Sequence, residues 1–131
     1  MDIGIDFDGS CVKHKYPLVG DDIGAVPVLK EIVQAGHRLI LTTMRSDFGV
    51  KKGLYISGLT DAVNWFKENG IPLFGIQTNP EQKEWTDSPK AYCHMIIDDT
   101  ALGCPLIENK GERPYLDWVK IRQILKEKKI I

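Results

Sequence analysis

The most informative segment of the chain reads Ile3-Gly4-Ile5-Asp6-Phe7-Asp8-Gly9-Ser10. Its apolar residues alternate as in a β-strand, and Gly9 is a typical place for a strand to stop. In an extended backbone Asp6 and Asp8 point the same way, so two carboxylates share one face of a strand end. Such a pair suits a site where a divalent cation offsets the repulsion, one acid attacks and the other moves a proton.

Two other interpretations fit this segment. Asp-x-Asp-Gly also occurs in ordinary turns, and it begins the calcium-binding loops of helix–loop–helix proteins. A calcium loop needs a Glu at its twelfth position. Counting from Asp6, the twelfth residue is Pro17, which excludes that loop. The segment alone leaves a turn and a catalytic or metal site both open.

Composition limits the class of protein. The 131 residues fit one domain, residues 1–131. The hydrophobic fraction of 43% and the charged fraction of 27% are typical of a soluble globular protein. The net charge of -1 argues against a broad nucleic-acid interface, and no apolar run approaches the roughly 20 residues that span a bilayer. We therefore expect no membrane partner.

The N-terminus and the cysteines indicate the compartment. An acid at position 2 and no basic segment argue against a secretory signal. The cysteines are odd in number and contain no C-x-x-C, which argues against a disulfide framework and a zinc ribbon. They are Cys11, Cys93 and Cys104. We expect reduced structural thiols and a cytoplasmic location.

Strand-like and helix-like segments alternate along the chain. Strands are predicted at 3–7, 38–42, 73–77 and 94–97, with a short fifth at 105–107. Helices are predicted from a cap at Asp21 and Asp22 to Gly36, over 60–70, and over 115–128. We expect an α/β fold, namely a three-layer, Rossmann-like parallel sheet of about five strands with helices on both faces. Ligands of such sheets bind beyond the carboxyl ends of the strands.

Polar side chains follow three of the predicted strands. The second strand ends in Thr42 and Thr43, and Arg45 follows two residues later. Hydroxyl groups and an arginine can bind a phosphate by hydrogen bonds. The fourth ends in Asp98 and Asp99. Together with Asp6 and Asp8, these groups can hold one Mg²⁺ in oxygen ligands with a phosphate beside it.

Each feature also has a structural explanation. Threonine-rich turns are common, adjacent acids can be solvated, and Lys90 alone is an ordinary loop lysine. Residues 13–15 read Lys-His-Lys, which fits either an anion contact or a solvated loop tip, with the solvated tip preferred. Trp85 could stack on a ring, although packing of its own loop is the more common role. The joint pattern is therefore more specific than any member.

The motifs resemble those of the haloacid dehalogenase superfamily, in the same order and on the expected elements. The resemblance covers about residues 1–103. It is carried by four segments: Ile5-Asp6-Phe7-Asp8-Gly9-Ser10, Leu41-Thr42-Thr43-Met44-Arg45, Lys90, and Ile96-Ile97-Asp98-Asp99. Ser10 stands where threonine is more usual, which keeps the hydroxyl. Most members are Mg²⁺-dependent phosphatases or phosphotransferases.

The resemblance implies a role for each motif residue. Asp6 is the nucleophile that forms an aspartyl-phosphate, and Asp8 is the general acid and base. Thr43 and Lys90 bind the phosphate, with Thr43 preferred over Thr42. The metal ligands are implied to be Asp6, the main-chain carbonyl of Asp8, Asp99 and, assisting, Asp98.

The connections are too short for the large lid domains of this superfamily, so we expect a capless member with an open site. Its partner is then a phosphorylated substrate of unknown class, and a second copy of the chain could serve as a lid. The alternative is a non-catalytic phosphate- or metabolite-binding regulatory domain on the same fold. A receiver domain would need its acceptor Asp at the end of the middle strand, where this chain has Thr42 and Thr43.

Overall fold

A parallel sheet of four short strands lies at the centre of the computed structural model, which describes residues 1–131. In chain order the elements are β1 (Asp2–Ile5), α1 (Ala25–Gln34), β2 (Arg38–Leu41), β3 (Asp47–Lys51), β4 (Leu54–Ser57), α2 (Gly58–Glu68), β5 (Gly75–Ile76), β6 (Met95–Ile97), β7 (Leu106–Ile107), β8 (Tyr115–Leu116) and α3 (Trp118–Glu127). The sheet order is β5-β2-β1-β6. The predicted α/β fold with a parallel sheet is confirmed.

The pairing register separates the sheet into two faces. Ile3 is level with Leu39 on one side and Met95 on the other, and Ile5 continues the same rows. Because side chains alternate along a strand, these residues lie on one face. Gly4, level with Ile40 and Ile96, belongs to the opposite face.

All three helices pack on the face of Ile3 and Ile5. Buried residues from α1, α2 and α3 form one hydrophobic cluster with that face, and Phe7 meets the rings of Trp65 and Phe66 from α2. The expected layer of helices on both faces is therefore wrong. The connection from β5 to β6 crosses the opposite face, and it carries only one turn of 3₁₀ helix, Gln82–Glu84.

The expected fifth strand is also corrected. Leu106 and Ile107 pair antiparallel with Leu116 and Tyr115, so β7 and β8 form a separate hairpin and the parallel sheet keeps four strands. β8 occupies the first two residues of the helix predicted over 115–128. That helix begins at Trp118, where the Asp117 carboxylate caps it by accepting from the main-chain N–H of Lys120.

The other helix predictions need smaller corrections. The first helix begins at Ala25 after Gly24, so neither Asp21 nor Asp22 caps it. Gly36 follows its end with φ 93°, as predicted. The second helix begins at Gly58 and is preceded by the β3–β4 hairpin, which the sequence did not predict.

None of the helices has both the length and the apolar character needed to cross a membrane.

Candidate functional site at the carboxyl ends of the strands

The parallel sheet brings the predicted acids together. Asp6 and Asp8 follow β1, Thr43 follows β2, and Asp98 and Asp99 follow β6, which pairs directly with β1. All five line one open cavity of about 450 Å³. Residues that are far apart in the chain thus form one cluster, because parallel strands end at the same edge of the sheet.

Three carboxylates form the centre of this cluster. Asp6, Asp98 and Asp99 each offer an oxygen, and these oxygens all lie within 4.8 Å of one another. The buried hydroxyl of Ser10 donates to Asp6 Oδ2 at 2.8 Å and accepts from the main-chain N–H of Asp99 at 3.0 Å. Ser10 therefore holds two of the acids in place without supplying any positive charge.

The environment of Asp6 disfavours its ionised form. Burial raises the pKa of this carboxyl from 3.8 to about 8, with further increases from its hydrogen bond to Asp99 and from the charge of Asp98. The Ser10 hydroxyl opposes this but is the smaller influence. A bound cation would reverse the balance, because it would neutralise the same negative charge that now raises the pKa.

A tight turn lets His14 reach the acid cluster. Gly9 has φ 79°, and a Cβ there would collide with the ring of His14 and the carboxylate of Asp99. His14 Nε2 lies 2.9 Å from Asp99 Oδ2, and its side chain is only 14% exposed. The preferred interpretation of residues 13–15 as a solvated tip is wrong for His14.

Arg45 has a different role from the one expected. Its side chain is 1% exposed, and it pairs with both oxygens of Asp8 at 2.8 Å. Its remaining N–H groups donate to the main-chain carbonyls of Pro17, Leu18 and Gly58. All five N–H groups of the guanidinium are used, so no donor is left for a phosphate. Arg45 instead fixes Asp8 and joins the first loop to the start of α2.

The two threonines after β2 are clearly different. Thr43 lines the cavity, and its hydroxyl oxygen accepts from the main-chain N–H of Arg45 at 3.1 Å, which leaves its proton free to donate. The hydroxyl oxygen of Thr42 is buried and has no hydrogen-bond partner. Thr43 offers this proton to a ligand in the main cavity, whereas Thr42 lines only the adjoining cavity and its hydroxyl oxygen is buried. Gln77 supports it by bonding to both its main-chain N–H and its carbonyl.

Lys90 lies in an adjoining cavity of about 320 Å³ that it shares with Asp6, Thr43 and Asp98. Its side chain is exposed and forms no ion pair with any carboxylate. The structure thus brings Lys90 to the predicted site but does not place it on an acid.

Four further residues at the site were not assigned roles from the sequence, namely Tyr16, Met44, Thr100 and Arg113. Tyr16 and Arg113 line the main cavity, and the ring of Tyr16 lies 5.1 Å from the Arg45 guanidinium carbon. Met44 is 98% exposed at the same mouth. Tyr16 and Arg113 lie in loops without periodic patterns, so no local signal could have identified them.

Comparison with known proteins gives one informative result. A scan of protein-family models finds no match for this sequence, and a search of curated proteins also finds none. A solved structure, that of a conserved protein coded by a locus from Bacteroides thetaiotaomicron, is similar to this chain with a TM-score of 0.72 and 33% sequence identity. The match covers 98% of this chain and 91% of the other. The chain belongs to the same family as this conserved Bacteroides thetaiotaomicron protein.

Proposed function

We propose that this chain is a Mg²⁺-dependent phosphomonoester hydrolase of the haloacid dehalogenase superfamily that acts through an aspartyl-phosphate. The observation that carries the proposal is the meeting of Asp6, Asp98 and Asp99 at one sheet edge, with oxygens within 4.8 Å. Nothing in the protein neutralises Asp6, whereas Asp8 two residues away has a buried arginine. A ligand of positive charge is therefore favoured at Asp6.

The donor set fits Mg²⁺. The ion prefers hard oxygen ligands, usually one or two carboxylates plus water and substrate phosphate. Asp6, Asp98 and Asp99 would hold it, together with the main-chain carbonyl of Asp8. When bound, the ion supplies charge neutralisation between the Asp6 carboxylate and an anionic phosphate.

The chain's own residues divide the chemistry between them. An oxygen of Asp6 attacks phosphorus and forms the acyl-phosphate bond while the bond from phosphorus to the leaving oxygen breaks, and Asp8 gives that oxygen a proton so that it leaves as an alcohol. The Thr43 hydroxyl donates to a phosphoryl oxygen, and the free ammonium of Lys90 attracts the phosphate from the adjoining cavity. Water then attacks phosphorus and Asp8 takes a proton from it, while the bond between phosphorus and the Asp6 oxygen breaks, so that inorganic phosphate leaves and the Asp6 carboxylate is restored.

The ion pair of Asp8 bears on this division. In the paired state both Asp8 oxygens accept from Arg45. Uptake of a proton from water and donation of a proton to a leaving group both require this pair to loosen. The same pair favours, as a second candidate, a non-catalytic phosphate-binding domain, because an acid held in this way could simply be structural.

We also propose that the site works without a cap domain. The connection between β1 and α1 is an irregular loop, and the one between β2 and α2 contains only the short β3–β4 hairpin. Neither connection forms a separate lid, and the main cavity is open to solvent. An open site accommodates a large leaving group.

The test is a hydrolysis screen of phosphorylated metabolites and one small aryl phosphate, with Asp6→Asn as the matched control. We expect turnover with Mg²⁺, none after exhaustive chelation, and a loss of many orders of magnitude in Asp6→Asn. Full activity in chelator would contradict the metal assignment. More than about a tenth of the wild-type kcat in Asp6→Asn would contradict covalent catalysis through this residue. Phosphate binding without turnover would favour the second candidate.

A further inference from the structure

The sheet face that lacks helices carries a groove that the proposed chemistry does not use. Its volume is about 290 Å³, and it is lined by the loop between β5 and β6 and by Ile96 of β6. Trp85 and Tyr92 form its aromatic wall, with ring centroids 5.3 Å apart at 89°. Trp85 is 63% exposed and Tyr92 is 44% exposed. Two large rings are therefore held partly in solvent on one side of the groove.

The exposure of Trp85 does not arise from a poorly packed loop. Buried Gln82 organises the loop, since its amide donates to the carbonyls of Ser88 and Lys90 and its oxygen accepts from the main-chain N–H of Tyr92. Buried Asn79 donates to Asp2 and to the carbonyl of Tyr92. Polar side chains thus support the loop from within. Trp85 packs edge-to-face on Tyr92 of the same loop, as predicted, and the rest of its ring remains in solvent.

The groove is continuous with the proposed phosphate site. Lys90, Ala91 and Ile96 line both the groove and the cavity that contains Asp6 and Thr43. Lys90 forms no ion pair within the protein, so an exposed cation stands at the junction between the aromatic wall and the acids. A ligand that spans the junction would place an anionic group near Lys90 and an apolar, flat group near Trp85.

We propose that the groove is a binding site for the leaving group of the substrate, and that this group ends in a flat heteroaromatic ring, as in a nucleoside monophosphate. The inference rests on the proposed phosphatase function and names its substrate class. The phosphate lies at Asp6, Thr43 and Lys90, and the ring stacks on the indole of Trp85. Stacking of a base on an aromatic side chain tolerates different bases, because every base has a π-face.

Two substrates that differ only by the ring test this inference, namely adenosine 5′-monophosphate and ribose 5-phosphate. In wild-type protein with Mg²⁺ we expect kcat/KM to be higher for the nucleotide. Trp85→Ala should raise KM for the nucleotide about tenfold, the size expected for one lost stacking contact, and should leave KM for ribose 5-phosphate unchanged. Trp85→Phe keeps a ring and should restore most of the affinity.

A binding measurement separates this inference from the proposed function. Trp65 and Trp118 are 8% and 3% exposed, so quenching of tryptophan fluorescence by the nucleotide reports mainly on Trp85. In the Asp6→Asn protein the nucleotide should quench this fluorescence and ribose 5-phosphate should not. Quenching without hydrolysis of any phosphate ester would overturn the proposed function and support the groove. Hydrolysis with equal effects of Trp85→Ala on both substrates would overturn the groove and leave the function standing.

Discussion

Asp6→Asn should make the metal-free protein more stable at neutral pH, although it removes the proposed nucleophile. The folded protein raises the pKa of Asp6 from 3.8 to about 8, chiefly by burial. A group whose pKa is raised on folding contributes stability that is fully present below its unfolded pKa. That contribution is lost as pH rises towards the folded pKa. The wild-type protein should therefore lose stability between about pH 4 and pH 8.

The size of the effect follows from the same pKa values. Between pH 3.8 and pH 7 the folded state keeps a proton that the unfolded chain releases, a span of about three pH units. At about 1.36 kcal/mol per unit, ionisation of Asp6 lowers the free energy of unfolding at pH 7 by no more than about 4 kcal/mol. For a domain of this size, that corresponds to a difference in Tm of about 15 °C. Asparagine keeps the shape of the side chain and carries no charge, so it escapes this loss.

The assay is thermal unfolding in chelator from pH 4 to pH 8, with Asp87→Asn as the control. Asp87 is an exposed carboxylate whose side chain has no hydrogen-bond partner. The Tm curves of wild type and Asp6→Asn should meet near pH 4 and separate as pH rises, whereas Asp87→Asn should follow wild type. Mg²⁺ should then raise the wild-type Tm more than that of Asp6→Asn. Parallel curves for wild type and Asp6→Asn would refute the claim that Asp6 is the destabilised acid.

Three further predictions concern neighbouring residues. Arg45→Ala leaves Asp8 and three carbonyls without their donor, so urea denaturation should show a loss of about 3–5 kcal/mol, and a loss below about 1 kcal/mol would count against the pair. Asp8→Asn should slow the first phosphoryl transfer, with a deficit that shrinks across phosphate esters of falling leaving-group pKa. A constant deficit would argue against a general-acid role. Gly9→Ala should destabilise more than Gly36→Ala in thermal unfolding, because both have positive φ but only Gly9 has His14 in the way. Equal losses of about 1–2 kcal/mol in the free energy of unfolding would mean that backbone strain alone causes the destabilisation, without a contribution from His14.

The sequence predicted the acid cluster because its signals are local. Asp6, Thr43 and Asp98 each follow an apolar strand directly, and parallel strands bring their ends to one edge whatever the loops do. The role of Arg45 could not be read in the same way. Its spacing from Thr43 suggested an anion contact, but its partners are an acid and carbonyls far away in the chain. Only tertiary packing brings them together.

The layers of the fold were harder to predict for a related reason. Strand and helix periodicity marks where elements occur, but the face that a helix covers depends on the order of strands in the sheet. The connection from β5 to β6 contains two turn-forming prolines, Pro80 and Pro89, and no helical stripe. That segment indicates a loop, whereas the prediction of helices on both faces rests on the alternation of strands and helices elsewhere in the chain. The groove of Trp85 exists because no helix covers that face.

Asp6 and Asp8 are the same residue type two positions apart, yet the protein surrounds them with opposite charge. Asp8 has the buried guanidinium of Arg45, with every donor of that group satisfied. Asp6 has two acids and one hydroxyl, and its pKa rises accordingly. Ordinary packing would not maintain this contrast, because the same fold could hold a neutral side chain at position 6 without the loss of stability. A site in which a bound cation neutralises these acids does account for the contrast. The difference in Tm between wild type and Asp6→Asn, measured across pH with and without Mg²⁺, tests this neutralisation directly.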